Sequence, residues 1–147
     1  DRPGQKATEP KIVRNPGTEC KKGDGMTIEK IPGTFSICKV SDYSQVNRDA
    51  AFCFTGQTDE EKSLVCLTEH VPENTTERED GWKAFRIQGM LDFSLIGILA
   101  KITSLLAENH IGIFAISTYH TDYILTRQEH YERALQVLEA AGYFVEA

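Results

Sequence analysis

The sequence has no long apolar run, no cationic excess and no secretory signal, and each absence excludes a class of protein. No apolar stretch approaches the roughly 18–20 residues that cross a bilayer, which argues against a membrane-spanning protein. The net charge of −6 argues against nucleic-acid binding, because that affinity comes largely from Lys and Arg neutralising phosphates. No signal peptide opens the chain, and free cysteines imply a reducing setting, so we expect a cytoplasmic protein.

Paired cysteines and helical histidine pairs are absent as well. The four cysteines (Cys20, Cys38, Cys53 and Cys66) form no CxxC motif, and three of them lie in apolar, strand-like segments. This setting favours buried free thiols over disulfides or zinc ligands. No two of the four histidines are spaced four apart, as a helical metal site requires. The sequence therefore predicts neither a metal site nor a cofactor.

The chain of 147 residues, 40% of them hydrophobic, is long enough for one domain or two small lobes. Residues 1–25 are rich in Pro, Gly, Lys and Glu, which predicts a disordered tail or an extension ahead of a native start at Met26. We assign residues 26–70 to a first module and 82–147 to a second. The acidic segment 71–81, which contains a proline, is interpreted as the linker between them.

The first module is predicted to consist of short strands and one short helix. Alternating or apolar segments mark strands at 27–31, 35–40, 51–55 and 63–67. Pro32-Gly33 indicates a turn or a bulge after the first strand. Residues 42–49 have room for a helix of about two turns.

The second module shows a complete β-α-β-β-α-β order. Strands are predicted at 82–88, 111–118, 122–127 and 143–145, with a long helix after the first strand and a second helix at 129–141. Apolar residues of the first helix recur at helical spacing, at Leu95, Ile98, Leu99, Ile102, Leu105 and Leu106. This order is typical of the α+β ferredoxin-like fold, an antiparallel four-stranded sheet with both helices on one face.

Residues at the helix ends and in the middle strand give more detailed expectations. Asp92 or Ser94 is expected to cap the first helix, and Asn109 with His110 to end it, Asn109 taking the left-handed conformation. Gly142 is placed to stop the second helix. Residues 111–116 are apolar on both faces, which predicts a strand covered on both sides.

The two modules echo each other in sequence. Residues 52–59 and 114–122 each form an apolar strand that runs into small hydroxyl residues, then Thr-Asp, then another strand, with one residue of slip. A repeat of about 60 residues suggests a duplicated unit of which the first copy is abbreviated.

At segments 89–99 (GMLDFSLIGIL) and 116–125 (ISTYHTDYIL) the sequence resembles the ACT-domain family, small ligand-binding modules that regulate amino-acid metabolism. It is most similar to stand-alone tandem ACT proteins, which are related to aspartate-kinase regulatory domains and to cytosolic arginine sensors. The resemblance covers about residues 27–147. It implies no chemistry, and it implies that a free amino acid or similar small ligand binds where two ACT modules meet. His120 departs from the carboxylate or amide expected at its position.

The residues themselves suit a zwitterion. Backbone N–H groups of the loop before the long helix favour the ligand's carboxylate, and Asp122 offers a negative charge for its ammonium group. Ser117, Thr118 and Thr121 add neutral hydrogen-bonding partners. The predicted ligand-binding residues are Gly89, Met90, Leu91, Asp92, Phe93, Ser94, Thr58, Asp59, Ser117, Thr118, Thr121 and Asp122.

Structural roles are the alternative for several of these residues. Asp92 and Ser94 serve equally well as helix caps, Asp122 as a hairpin residue, and Thr58-Asp59 as a solvated turn.

Two other functions compete with ligand binding. Acylphosphatase-like catalysis uses the same element order, and residues 85–89 superficially suit a phosphate loop. The helix start at 92–97 carries an acid and no Arg, however, so we expect no enzyme activity. The other alternative is a ligand-free interaction module, since doubly apolar strands favour a partner surface, most simply a homodimer.

Overall fold

The computed structural model describes residues 26–88 and 97–146, which divide into two compact units. Residues 26–31 and 84–146 form one, here called the helical unit, and Pro32–Lys83 form the other, the strand unit. Two 14-residue strands, β1 (Thr27–Val40) and β4 (Thr75–Gln88), contribute to both.

The linker predicted at 71–81 is wrong in its larger part, because Thr75 already begins β4. Most side chains of this half-strand are exposed and polar, and only from Ala84 onward are apolar side chains buried. Because neither face of this half-strand is buried, apolar and polar residues do not alternate along it, and that alternation is what identifies a strand in a sequence. Its acidic composition therefore looked like that of a loop.

The helical unit contains the predicted β-α-β-β-α-β order. After β4 come α1 (Ile98–Glu108), β5 (Phe114–Ser117), β6 (Asp122–Arg127), α2 (Gln128–Ala140) and β7 (Phe144–Glu146). The α+β ferredoxin-like fold is thus confirmed.

The sheet of the helical unit differs from the four antiparallel strands expected. β4 lies beside β6, and β6 pairs antiparallel with β5, from Phe114 opposite Leu125 to Ser117 opposite Asp122. The last strand, β7, pairs in parallel with the start of β1, with Thr27 opposite Phe144, and β1 in turn lies beside β4. The described sheet of this unit therefore has five strands. The position of β1 between β7 and β4 cannot be predicted from local sequence patterns, because these strands are far apart in the sequence.

Both helices pack on one face of this sheet, as predicted. The core residues of α2 are Tyr131, Ala134, Leu135 and Leu138, and α1 contributes Ile102 and Leu106. They meet apolar strand residues Ile28, Phe85, Ile87 and Ile124. The Tyr131 hydroxyl donates to the Ala84 carbonyl oxygen at 2.6 Å, and burial raises the pKa of Tyr131 to about 12, so it stays a donor at neutral pH.

The helix ends confirm one expectation and correct two others. The N-cap of α1 is Gly97, with no side-chain cap hydrogen bond, so the predicted cap at Asp92 or Ser94 is wrong. Gly142 follows α2 with a φ of 104°, as predicted for a C-terminal stop. After α1 it is His110, at φ 62°, that is left-handed, whereas Asn109 is at −102°. The N–H of Ile111 bonds back to the Leu106 carbonyl at 2.9 Å, which closes the helix one residue later than expected. Asn109 instead donates its side-chain N–H to the Leu105 carbonyl at 2.9 Å.

The prediction of a strand covered on both sides is wrong for β5. Phe114 and Ile116 are half-buried, while Ala115 and Ser117 are exposed, and the strand begins three residues later than predicted at 111. β5 lies at the end of the strand order, beside β6 alone among the described strands. Because β5 is an edge strand among the described strands, its apolar side chains are less buried than its composition suggests.

The strand unit is a sheet in the order β2 (Cys53–Gln57), β3 (Lys62–Leu67), β1 and β4, with a short 3₁₀ helix at Thr68–His70. β3 runs antiparallel to both of its neighbours. The helix expected at 42–49 is absent. Two turns replace it, and the Asp42 carboxylate accepts the Ser44 N–H at 2.9 Å, a local bond that favours a turn.

Pro32-Gly33 does not turn the chain, since β1 continues through it with Gly33 at φ 95°. A Cβ atom at Gly33 would lie 2.9 Å from Leu67 Cδ2. We expect Gly33→Ala to lower the free energy of unfolding by about 1–3 kcal/mol, mainly through the positive φ. Gly56→Ala, which meets nothing within 4 Å, is the control and should leave the urea midpoint unchanged or slightly raised. Equal shifts in the two urea curves would contradict this explanation.

Candidate ligand-binding site

The predicted polar residues of the second module form a closed hairpin turn between β5 and β6. Ser117 Oγ donates to Asp122 Oδ1 at 2.6 Å, and the Thr118 N–H donates to the Thr121 carbonyl at 2.9 Å. Thr118 Oγ1 donates to the same carbonyl at 2.8 Å and accepts the Thr121 N–H at 3.3 Å. Asp122 is only 6% exposed. The four predicted residues of this turn are therefore brought together.

The turn is tied to the end of β4. Thr121 Oγ1 donates to the Ile87 carbonyl oxygen at 2.5 Å, one residue before β4 ends at Gln88. The predicted loop begins directly after that end. Its residues Gly89, Met90, Leu91, Asp92, Phe93 and Ser94 lie outside the described residues.

The hydrogen bonds of the hairpin determine what it can still bind. Each of the hydroxyl hydrogens of Ser117, Thr118 and Thr121 is donated within the protein. The remaining capacity of these three hydroxyl groups and of the Asp122 carboxylate consists of lone pairs, all of which are acceptors. The hairpin thus suits a group that donates hydrogen bonds, and a cation in particular.

Asp122 lies on the side of the sheet that carries the helices. It is the first residue of β6, and Ile124, two residues later and on the same face, is a core residue beneath the helices. Within the described residues Ser117 is the one donor to its carboxylate. The carboxylate therefore keeps capacity to accept hydrogen bonds from a further donor.

The predicted residues of the first module occupy an analogous turn in the strand unit. The Thr58 N–H donates to the Glu61 carbonyl at 3.0 Å, and Thr58 Oγ1 accepts the Glu60 and Glu61 N–H groups at 3.0 and 3.2 Å. The two turns therefore correspond at a constant offset of sixty residues (58 with 118, 62 with 122). The predicted match of Thr58-Asp59 to Thr121-Asp122 is corrected: Lys62 is the counterpart of Asp122, and Asp59 is an exposed turn residue.

One polar network of the helical unit was not foreseen. Glu29 Oε1 accepts from Arg86 Nε at 2.9 Å and from Gln88 Nε2, and Arg86 Nη1 donates to the Tyr123 hydroxyl at 3.0 Å. Arg86 and Gln88 alternate with buried Phe85 and Ile87, so this network lies on the sheet face away from the helices. The alternation of strand 82–88 was the available signal, but it does not identify Glu29 as the partner.

The Glu29–Arg86 pair makes stability depend on pH. The Arg86 guanidinium, with help from Gln88, holds the pKa of Glu29 below its ordinary value. A lowered folded-state pKa gives stability that is present above the unfolded pKa and is lost as pH falls through the folded value. We expect the stability difference between the wild type and Glu29→Gln to shrink from about pH 6 to about pH 3 in urea titrations. Glu108→Gln, an exposed position on α1, is the control; a difference independent of pH at Glu29 would contradict the assignment.

The described residues contain no cluster of three or more His, Cys, Asp or Glu side chains that is arranged to hold a metal ion. Within the same residues no helix has the length and apolar character needed to cross a membrane.

Comparison with known proteins finds a match to one domain family. Residues 77–140 match the ACT domain. A protein of Agrobacterium tumefaciens is similar in structure, with a TM-score of 0.74 and 29% sequence identity over 82% of this chain and 92% of that one. No curated protein matches the chain significantly in sequence.

More distant solved structures share the fold. A Vibrio cholerae protein of unknown function, described as a possible transport protein, has a TM-score of 0.65 at 22% identity, over 81% of this chain and 91% of that one. The regulatory subunit of aspartate kinase from Thermus thermophilus has a TM-score of 0.56 at 13% identity, over 80% and 97%. The resemblance found in the sequence is confirmed: residues 77–140 of this chain match the ACT-domain family.

Proposed function

We propose that this protein is a non-catalytic regulatory module that binds a free amino acid, with the ammonium group of the ligand at Asp122. We further propose that it is a tandem ACT protein whose first module is abbreviated, and that it acts as a homodimer. The match of residues 77–140 to the ACT domain supports the general role of a regulatory, ligand-binding module. The match between the turns at Thr58 and Thr118 supports the duplication.

The position of Asp122 carries the proposal. Its carboxylate is buried, lies on the helix side of the sheet and has Ser117 as its donor among the described residues. The turn that holds it is hydrogen-bonded to β4 through Thr121 and Ile87, two residues before the predicted binding segment 89–94 begins. An ammonium group at Asp122 would complete the hydrogen bonding of the carboxylate.

The chemistry of the hairpin also sets the orientation of the ligand. Because the side chains of Ser117, Thr118, Thr121 and Asp122 retain only acceptor capacity, they suit the ammonium end of a zwitterion rather than its carboxylate. The carboxylate is then assigned to backbone N–H groups of the segment 89–94, where Gly89 permits a close approach. Thr58 and Asp59, in the turn of the strand unit, remain predicted contacts of the ligand.

Thermal-shift screening of the full chain against the twenty amino acids tests this function. A ligand present at a hundred times its dissociation constant should add roughly 2.7 kcal/mol to the free energy of unfolding. We expect Asp122→Asn to remove the shift, because the neutral amide keeps the shape but loses the charge that holds the ammonium group.

Asp42→Asn is the matched control. Its carboxylate accepts from Ser44 Oγ at 2.5 Å, much as Asp122 accepts from Ser117 at 2.6 Å, but it lies in the strand unit. The ligand-induced shift should be unchanged in this variant. If no amino acid raises the melting temperature, or if the shift survives Asp122→Asn, the proposed site is wrong, and the ligand-free interaction module becomes the better description.

A further inference from the structure

A cluster of three cysteines lies in the strand unit, outside the proposed ligand site. Cys38, Cys53 and Cys66 are all free thiols; Cys38 and Cys66 are buried in one apolar cluster, and Cys53 packs against that cluster at its margin, half-buried. Nothing in an apolar cluster requires three sulfur atoms, since Val or Ala fills such space equally well. The grouping therefore invites a chemical explanation.

Strand register distinguishes the possible pairs. Cys53 on β2 and Cys66 on β3 are direct cross-strand partners. Cα atoms of direct antiparallel partners are about 4.5–5.5 Å apart, within the range of about 4.4–6.8 Å that disulfides occupy. Cys38 on β1 is opposite Leu64, so Cys66 is its diagonal neighbour. Diagonal neighbours are roughly 7–8 Å apart, beyond disulfide geometry unless the backbone moves.

We propose that Cys53 and Cys66 form a reversible disulfide when the protein meets a small-molecule disulfide such as oxidised glutathione. The half-buried Cys53 thiolate attacks one sulfur of the oxidant and releases one thiolate. Cys66 then gives up its proton, attacks Cys53 Sγ and displaces the second thiolate. The two cysteines lose two electrons and two protons, and the oxidant becomes two thiols.

Access sets the order of these steps. Cys38 and Cys66 are buried, whereas Cys53 is half-buried, so Cys53 is the thiol that a dissolved oxidant reaches first. The bond would join β2, at the end of the strand order, to the strand beside it, and so fix an edge that is otherwise held by backbone hydrogen bonds and packing.

Mass spectrometry of the full chain tests the proposal. The folded protein is incubated with oxidised or reduced glutathione, free thiols are alkylated under denaturing conditions, and unreduced peptides are mapped. We expect the oxidised sample to lose two alkylation sites and to yield one linked peptide pair, containing Cys53 and Cys66. Dithiothreitol should reverse the change.

Variants assign the bond. Cys53→Ser should abolish the link, whereas Cys38→Ser and Cys20→Ser should retain it. Cys53 is only half-buried, so its variant is expected to fold, and circular dichroism checks this. The proposal is overturned if the folded wild type forms no link, if the link joins Cys38 to Cys66 or involves Cys20, or if it persists in Cys53→Ser.

Discussion

Replacement of Phe85 by alanine should lower the free energy of unfolding by about 3–5 kcal/mol, the largest effect we expect from any single substitution in this chain. The Phe85 side chain is 0% exposed and lies on β4 within the core of the helical unit. Its ring centroid is 6.5 Å from that of Tyr131 on α2. Truncation would remove the contact between sheet and helix and leave a cavity that rigid neighbours cannot fill.

Phe144→Ala provides the matched control for this substitution. Phe144 belongs to β7 of the same unit but is 64% exposed, so its removal should change stability by no more than about 0.5 kcal/mol. Urea unfolding followed by circular dichroism measures both variants. Similar midpoints for the two would show that the core is not where the structure places it.

The second large effect is expected in the strand unit, where Leu64→Ala should cost about 2–5 kcal/mol. Leu64 is buried on β3 and belongs to the same apolar cluster as Val40 and the thiols Cys38 and Cys66. This cluster is small, so the loss of one leucine removes a large share of its buried apolar area.

Gln57→Ala on the neighbouring strand β2 is the comparison for Leu64. Gln57 is exposed, and its truncation should lie within about 0.5 kcal/mol of the wild type. Hydrogen exchange resolved by peptide measures the effect within the strand unit, where Leu64→Ala should speed exchange of the β3 amides and Gln57→Ala should not. Unchanged β3 exchange in Leu64→Ala would contradict the assignment of Leu64 to this cluster.

Local periodicity was sufficient to predict α1 and α2, whereas the helix expected at 42–49, which has no such periodicity, is absent. The apolar face of α2, from Tyr131 to Leu138, is predicted correctly because helical spacing repeats over several turns. The prediction that Gly142 ends α2 is also correct for a local reason, since few other residues end a helix as well as glycine does. The error at Asn109 and His110 amounts to one residue, and both residue types tolerate positive φ.

The sequence alone did not predict which distant strands pair with each other. The exposed half of β4 carries charged and polar residues, so nothing in 75–81 distinguishes it from a linker. The pairing of β1 with β7 joins opposite ends of the described chain and has no local signal. In the candidate site, the hydroxyl-rich run located the hairpin, but the one-residue slip between the repeats was resolved only by the hydrogen bonds at Thr58 and Thr118.

The pairing of Thr27 with Phe144 bears on how this protein is made and how it can be shortened. A recombinant fragment limited to the matched segment 77–140 would lack both strands of that pair and leave a flank of β4 open to aggregation. On the ribosome, Thr27 of β1 cannot pair with Phe144 of β7 until the 117 residues from 28 to 144 have been synthesised. Such distant closure is intrinsically slow.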